Sequence, residues 1–333
     1  MSNDEKNIDQ VIKQINKDYG KKIFGGKNID NFFSSGSLII DNLINGDGYP
    51  VGRIIEIFGQ PGTGKTTLAL HAAAEMQKKN KKKIIFFDIE RTLNLNYAKK
   101  IGINTENLVI LWPKNAEETF NLLIELLETG GVSLIIVDSV AALLPESEAK
   151  RKMEESTIGL QARIMSKAMR KINYLLSETS SSLIFINQIR EKIKIMFGNP
   201  ETTSGGNALR FYASLRLELR RKTKIMKKDV EIGISVKARV VKNKLGTPFA
   251  FNLISIYYGE GLSKISEIIE IAVENEIFHK RGNWFWYNEM KLGLGLENTQ
   301  TFLKQNKKLL SIIEENINMF FSEKNKKLAE LNK

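Results

Sequence analysis

From Arg53 onward the chain alternates between two rhythms. Short, nearly unbroken apolar runs (RIIEIF, KIIFFD, NLVILW, SLIIVD and SLIFIN) are separated by stretches in which apolar residues return every three or four positions. Unbroken runs suit strands buried on both faces, and the three-to-four period suits helices with one apolar stripe. The pattern predicts helices over Lys65–Lys78, about Ala116–Thr129 and about Gly159–Glu178. Strands and helices in alternation give an α/β fold with a mostly parallel central sheet covered on both sides. After Phe211 the rhythm changes to SLRLELR, SVKARVVKN and FAFNLISIYY, strands joined by short turns that extend the sheet. GEGLSK then punctuates the chain. A helical segment, the aromatic hairpin-like stretch NWFWYNEMKLG and a last helix striped by Leu309, Ile313 and Ile317 follow.

These changes divide the chain into four parts. Residues 1–30 hold an N-terminal helix, with Ile8, Val11, Ile12 and Ile15 on one face and Gly20 at its end, followed by a polar connector that continues into FFSSGS. Residues 31–261 form the body, 262–322 a small α+β C-terminal domain, and 323–333 a ragged polar tail.

Composition narrows the picture. At 42% apolar and 26% charged residues the chain can build a sizeable core. It has no cysteine, which excludes disulfides and cysteine-ligated zinc, and its two histidines, His71 and His279, are too few for a metal cluster. No apolar run approaches the length of a membrane span, and MSNDEKNIDQ lacks the apolar stretch of a secretory signal. A soluble, cytoplasmic protein without a membrane partner is expected. The net charge of +12 favours an anionic partner, nucleic acid first, although a lysine-rich surface also serves solubility.

Chemistry enters at GQPGTGKTT: Gly59, Gln60, Pro61, Gly62, Thr63, Gly64, Lys65, Thr66 and Thr67. The spacing G-x-x-x-x-G-K-[ST], between a predicted strand and a predicted helix, is that of a phosphate-binding loop. Its glycines turn backbone N–H groups toward phosphate oxygens, and the helix N-terminus adds partial positive charge. Lys65 is expected at the β and γ phosphates of ATP and the Thr66 hydroxyl on Mg²⁺. Asp138, ending SLIIVD, supplies the second magnesium-side oxygen. Hydrolysis also needs an acidic group to orient water. Glu90 is the candidate and Asp88 its rival; strand alternation puts both on one side, and spacing does not choose between them.

VGRIIEIFGQPGTGKTTLAL, LIIVDSVAALLPESE and especially FINQIREKIKIMFGNPETTSGGNALRFYAS, continued by VVKNKLGTPF, closely resemble the bacterial RecA recombinases. The resemblance is colinear from about residue 5 to about residue 320. It implies a RecA-like P-loop NTPase core and an ATP-dependent filament of this chain on single-stranded DNA that pairs and exchanges strands with homologous duplex DNA. It also implies a part in recombinational repair and in self-cleavage of an SOS repressor. Glu90 matches the family's catalytic glutamate, Tyr97 its adenine-stacking tyrosine and Gln188 its sensor of the γ-phosphate. Lys242 and Lys244 match a pair that reaches the γ-phosphate of a neighbouring protomer; two apart on a predicted strand, they share a face. Phe211 matches the aromatic residue at the subunit contact that couples DNA to ATP. The N-terminal helix matches one that docks on the adjacent subunit.

Two DNA-contacting loops are implied at about Glu146–Gly159 and Glu191–Leu209. With the helix after the first loop they bring Ile158, Arg163, Arg170, Ile193, Met196, Phe197, Gly198, Asn199, Gly205, Gly206 and Asn207 to DNA. Ile193 matches the side chain that wedges between base triplets, at a cost of a few kcal/mol of unstacking per step. Read without the resemblance, the apolar residues of the second loop would simply pack onto the body and the two lysines would be solvated.

Departures from the family pattern set further expectations. QPGT stands where the family has PESS, Asn94 stands where an acidic residue near adenine is usual, and Arg91 and Thr92 follow the glutamate unusually. Ile158 replaces a methionine with a stiffer apolar side chain. SEKNKKLAELNK is mixed to basic where many members end acidic, which predicts weaker self-inhibition of duplex binding. Trp284, Phe285, Trp286 and Tyr287 are split by strand alternation between a core face and a face open to stacking. Three other functions share parts of these features. A DNA-coating scaffold that uses hydrolysis only for release would tolerate Glu90→Gln in pairing. A ring helicase lacks the loop pair and small domain, and a small-molecule kinase needs an acceptor lid that the sequence does not show.

Overall fold

The computed structural model describes residues 31–44, 48–150, 159–191 and 201–331, together with Val11, Gln14 and Lys17. Met1–Asn31 and Phe32–Lys333 are two separate units. In the first, Val11 is helical and 52% exposed, while Ile8, Ile12 and Ile15 of the expected stripe lie outside the described residues.

The second unit opens with β1 (Phe32–Phe33), α1 (Leu38–Leu43) and β2 (Tyr49–Pro50), β1 and β2 pairing antiparallel. This segment reads as part of a polar connector, but Ser35 and Ser37 are buried and bonded: Ser37 caps α1 by accepting from the Ile40 N–H. Next come β3 (Ile54–Gly59), α2 (Lys65–Lys79), β4 (Lys83–Asp88), α3 (Leu95–Ile101), β5 (Leu108–Leu111), α4 (Ala116–Glu128), β6 (Val132–Asp138), α5 (Glu146–Ala149), α6 (Leu160–Thr179) and β7 (Ser182–Glu191). β8 (Glu201–Thr203), α7 (Asn207–Tyr212), β9 (Leu215–Lys227), β10 (Val230–Asn243), β11 (Phe251–Tyr257) and β12 (Gly261–Leu262) complete the body. α8 (Lys264–Glu274), β13 (Phe278–Arg281), β14 (Trp284–Tyr287), β15 (Met290–Leu294), α9 (Gly295–Gln305) and α10 (Lys307–Leu331) follow.

The main sheet runs β12-β11-β10-β9-β3-β7-β6-β4-β5. From β9 through β3 to β5 its neighbours are parallel, and from β9 to β12 they are antiparallel, so the later strands extend the sheet as expected. Each apolar run feeds two cores. Ile84 and Phe86 face the layer built on α2, whereas Ile85 and Phe87 face α4 and α6. Successive side chains of a strand point to opposite faces, and both faces are covered, so both must be apolar. The layer on α2 is continuous with Ile268 of α8, Phe285 of β14 and Ile313 and Ile317 of α10.

Phe285 is buried and Trp284 is 40% exposed, the split that strand alternation predicts. Residues 323–331, read as a ragged tail, instead continue α10 to Leu331. Lysine, glutamate, alanine and leucine are good helix formers, and no glycine or proline interrupts them.

Candidate nucleotide and DNA site

The phosphate loop is bounded at both ends by glycines in tight positions. A Cβ on Gly59, the last residue of β3, would lie 2.3 Å from the Leu219 carbonyl oxygen on β9. Gly64 caps α2 at φ +82°, and a Cβ there would lie 2.2 Å from Ile256 Cδ1. Between them the Gln60 carbonyl accepts from Thr63 Oγ1 at 2.9 Å and from Lys65 Nζ at 2.8 Å. The first turn of α2 leaves N–H groups without helical partners facing this loop, which makes an anion site. Burial lowers the Lys65 pKa, and the Asp138 and Glu90 carboxylates oppose that shift.

Asp138 ends β6 beside the loop, and Thr66 Oγ1 donates to its Oδ2 at 2.6 Å. Burial pushes the Asp138 carboxyl up to about 6, against the Thr66 bond. Two hard oxygens side by side, one on a buried carboxylate and one on a hydroxyl, fit magnesium. Among the described residues there is no cluster of three or more His, Asp or Glu that could hold a metal ion.

Asp88 and Glu90 are separated by their surroundings. The Asp88 carboxylate, 4% exposed, accepts the N–H groups of Thr92 at 3.0 Å and Leu93 at 3.2 Å and the Trp112 indole at 3.3 Å. It holds the turn after β4. Glu90 is exposed, and its Oε1 accepts from Ser139 Oγ at 2.5 Å and Gln188 Nε2 at 3.2 Å. β4 stops at Asp88, so strand alternation does not reach Glu90 and does not relate the two carboxylates.

Gln188 is paired with Gly59 in the β3–β7 register, so its amide stands at the mouth of the phosphate loop. β7 does not end there. It runs to Glu191 and turns back as β8, pairing Ile189 with Thr203 and Glu191 with Glu201. Residues 192–200, including Ile193, Met196, Phe197, Gly198 and Asn199, lie outside the described residues, as does Ile158. The stem that carries them starts one residue after Gln188.

Other expected DNA residues fall into two groups. Arg163 and Arg170 are exposed and two helical turns apart on α6, opposite its buried Met165, Met169 and Ile172. Gly205 and Gly206, both at positive φ, are packed against the α6 layer: a Cβ on Gly205 would lie 2.9 Å from Val140 Cγ1, and one on Gly206 2.8 Å from Ala162 Cβ. Asn207 starts α7 and is exposed. Phe211, near the end of α7, is 71% exposed.

Lys242 Nζ donates to the carbonyls of Arg210 at 2.7 Å and Phe211 at 2.8 Å, and burial brings its pKa down to about 8. Lys244 does not share the strand as expected. β10 ends at Asn243 and the chain bends from Lys244, so strand alternation does not relate the two lysines.

A cavity of about 530 Å³ adjoins the loop, lined by Gly62, Gly64, Thr67, Asn94, Tyr97, Tyr258 and neighbours. Tyr97 on α3 meets Thr67 Oγ1 through its hydroxyl at 3.0 Å, and Asn94 caps α3 by accepting from the Tyr97 N–H at 3.1 Å. Asn94 therefore lines the cavity while serving as a helix cap. Sequence reasoning missed Ser139, Tyr257 and Tyr258. The paired tyrosines directly before GEGLSK were the available signal; nothing in the sequence marks Ser139.

A strand–loop–helix phosphate cradle, an acidic strand end touching its threonine and a mostly parallel sheet covered on both faces define a P-loop NTPase with a RecA-like core. Family models agree: the RecA N-terminal domain matches residues 6–263 and the RecA C-terminal domain matches residues 266–322. The chain belongs to the RecA family. It is 47% identical to the RecA protein of Mesoplasma florum over 309 residues, 91% of this chain and 92% of that one. It is 44% identical to RecA of Bacillus subtilis over 95% of this chain and 92% of the relative, and 44% identical to RecA of Rickettsia bellii over 98% and 96%.

Proposed function

We propose that this protein is a DNA-dependent ATPase that assembles as a filament on single-stranded DNA and exchanges strands with homologous duplex DNA in recombinational repair. Family membership over nearly the whole chain supports the overall activity. The geometry supports the parts. The glycine loop and Lys65 bind the triphosphate, Thr66 and Asp138 hold Mg²⁺, and Tyr97 lines the base pocket. Bound magnesium would neutralise phosphate charge as it develops. Glu90, exposed at the loop mouth, orients and deprotonates the attacking water. Arg163, Arg170 and the segment carried by the β7–β8 stem bind DNA.

One observation carries the coupling: the Gln188 amide bonds Glu90 at 3.2 Å, and the stem of the DNA loop begins at the next residue. A terminal phosphate that takes over this amide changes the position of Gln188 and with it the stem. Lys242, held by the carbonyls on either side of the Arg210–Phe211 peptide, and Lys244 complete the site of the next protomer, with Phe211 at the contact. For a cytoplasmic location and promotion of repressor self-cleavage, family membership is the only support. Among the described residues no helix is long and apolar enough to cross a membrane.

ATP turnover by the full chain with and without single-stranded DNA tests this reading. Stimulation by DNA that is lost in Gln188→Ala, with nucleotide binding retained, is expected. A rate indifferent to DNA in the unaltered chain refutes it.

A further inference from the structure

Tyr258 at the edge of the base cavity is tied to the arm formed by β9 and β10. Its hydroxyl donates to Glu231 Oε1 at 2.5 Å, and its N–H donates to the Ile232 carbonyl at 2.9 Å. Glu231 has other partners as well. Arg221 Nη2 reaches its Oε1 at 2.7 Å, and Lys224 Nζ reaches its Oε2 at 2.7 Å. One carboxylate thus collects a tyrosine from the base cavity and two cations from β9. These cations belong to a basic run, Arg220, Arg221, Lys222, Lys224, Lys227 and Lys228, in which Glu231 is the acidic residue paired with Arg221 and Lys224. Tyr257 and Tyr258 also line a second, polar cleft of about 610 Å³, which Glu231 lines too, so the tyrosine pair borders open space in both cavities. A ring in that position needs a tether to stay on one side.

We propose that Glu231 is a positioning residue with two linked effects: it holds Tyr258 against the nucleotide base, and it masks Arg221 and Lys224 from polyanions. Its two oxygens divide the work. Oε1 serves the tyrosine and Arg221, and Oε2 serves Lys224. A neutral amide at this position keeps an acceptor for the tyrosine hydroxyl but loses the charge that neutralises the cations. Alanine loses both, and Tyr258→Phe loses only the tether. Three substitutions therefore separate the two effects.

The experiment uses the full chain, with calorimetric binding of Mg-ADP and, without nucleotide, binding of an unstructured single-stranded oligonucleotide across a salt series. Tyr258→Phe and Glu231→Ala are expected to weaken ADP binding roughly two- to tenfold, the loss of one hydrogen bond, while Glu231→Gln stays close to the parent. Both Glu231 variants are expected to bind the oligonucleotide more tightly with a steeper salt dependence, by about 0.7 in log–log slope for each cation released. Tyr258→Phe leaves that slope unchanged. All the altered groups are at least partly exposed, and thermal melts of the variants confirm folding.

Because the proposal rests on the nucleotide reading above, the unaltered chain is the control. Failure of the parent to bind ADP overturns that reading and this one together. ADP binding by the parent with unchanged affinity in Tyr258→Phe and Glu231→Ala overturns this inference alone, as does an unchanged salt slope in Glu231→Gln.

Discussion

Glu267→Gln exchanges one oxygen for an NH₂ group at a side chain only 1% exposed. Glu267 ties α8 to the start of α1, accepting from Ser37 Oγ at 2.7 Å and the Leu38 N–H at 2.8 Å. Neither partner is a cation. Burial therefore pushes its pKa from 4.5 up to about 7, the Ser37 and Leu38 bonds pull it back, and nearby Asp41 raises it further. The folded state holds a proton that the unfolded chain releases earlier. The stability contributed is complete below about pH 4.5, is lost as pH rises toward about 7, and does not change above that. A gap of about 2.5 units amounts to about 3 kcal/mol, with about 1 kcal/mol already lost at about pH 5.5. Glutamine imitates the protonated acid: its oxygen accepts from Leu38, its NH₂ donates to Ser37 Oγ, and it cannot ionise. The variant is expected to match the parent near pH 4.5 and to exceed it by about 3 kcal/mol near pH 8, roughly 6 °C in Tm for a domain of this size. Asp41, itself raised to about 6 by burial, is present in both proteins and largely cancels in the difference. Urea unfolding of parent and variant from about pH 4.5 to about pH 8 measures the curve. A difference that stays constant with pH refutes the assignment of a buried, protonated Glu267.

Further outcomes follow from contacts in and around the site. Arg216→Met leaves Glu56, 0% exposed, with the Asn187 amide at 2.9 Å as its side-chain partner, and is expected to cost about 3–5 kcal/mol in urea unfolding. Replacing Glu56 by Leu in the same chain recovers much of that loss, because no charge then remains buried. Glu90→Gln is expected to keep the melting temperature and lower ATP turnover by about 10²–10⁴-fold. Asp88→Asn should lower the melting temperature because it weakens the turn held by the Thr92 and Leu93 N–H groups. Gly59→Ala drives a Cβ to 2.3 Å from a backbone oxygen and should abolish Mg-ADP binding in calorimetry. Gly62→Ala has open space around it and should cost only the strain of its φ of +71°, about 1–2 kcal/mol in melting.

Much of the fold was legible because local signals and global burial agreed. IIFFD in β4 is apolar at every position but the last, since both faces of the sheet are covered, and FGQPGTGKTT announces its turn through glycines that the backbone requires. Signals failed where the controlling contact lay far away in the chain. FFSSGS reads as a connector, but Glu267, more than two hundred residues on, supplies acceptors for Ser37 and Leu38. Asp88 and Glu90 look equivalent until Trp112 and the Thr92–Leu93 turn occupy the first and Gln188 meets the second. Lys242 and Lys244 look like one face of a strand until the strand ends between them.

The sequence by itself determined the main alternation of strands and helices, the phosphate loop with its lysine and threonine, the acidic strand end at Asp138, and the family. The family rests on a colinear resemblance along nearly the whole chain, and the others on periodicity, glycine backbone freedom or side-chain chemistry within a few neighbouring residues. Tertiary structure alone decided that Asp88 is taken up by a turn while Glu90 stands exposed, that Gln188 lies beside Gly59, and that the Tyr258 hydroxyl meets Glu231 at the edge of the cavity beside the phosphate loop. Those choices depend on strand register and on desolvation by distant elements, and neither is a property of a local stretch of chain.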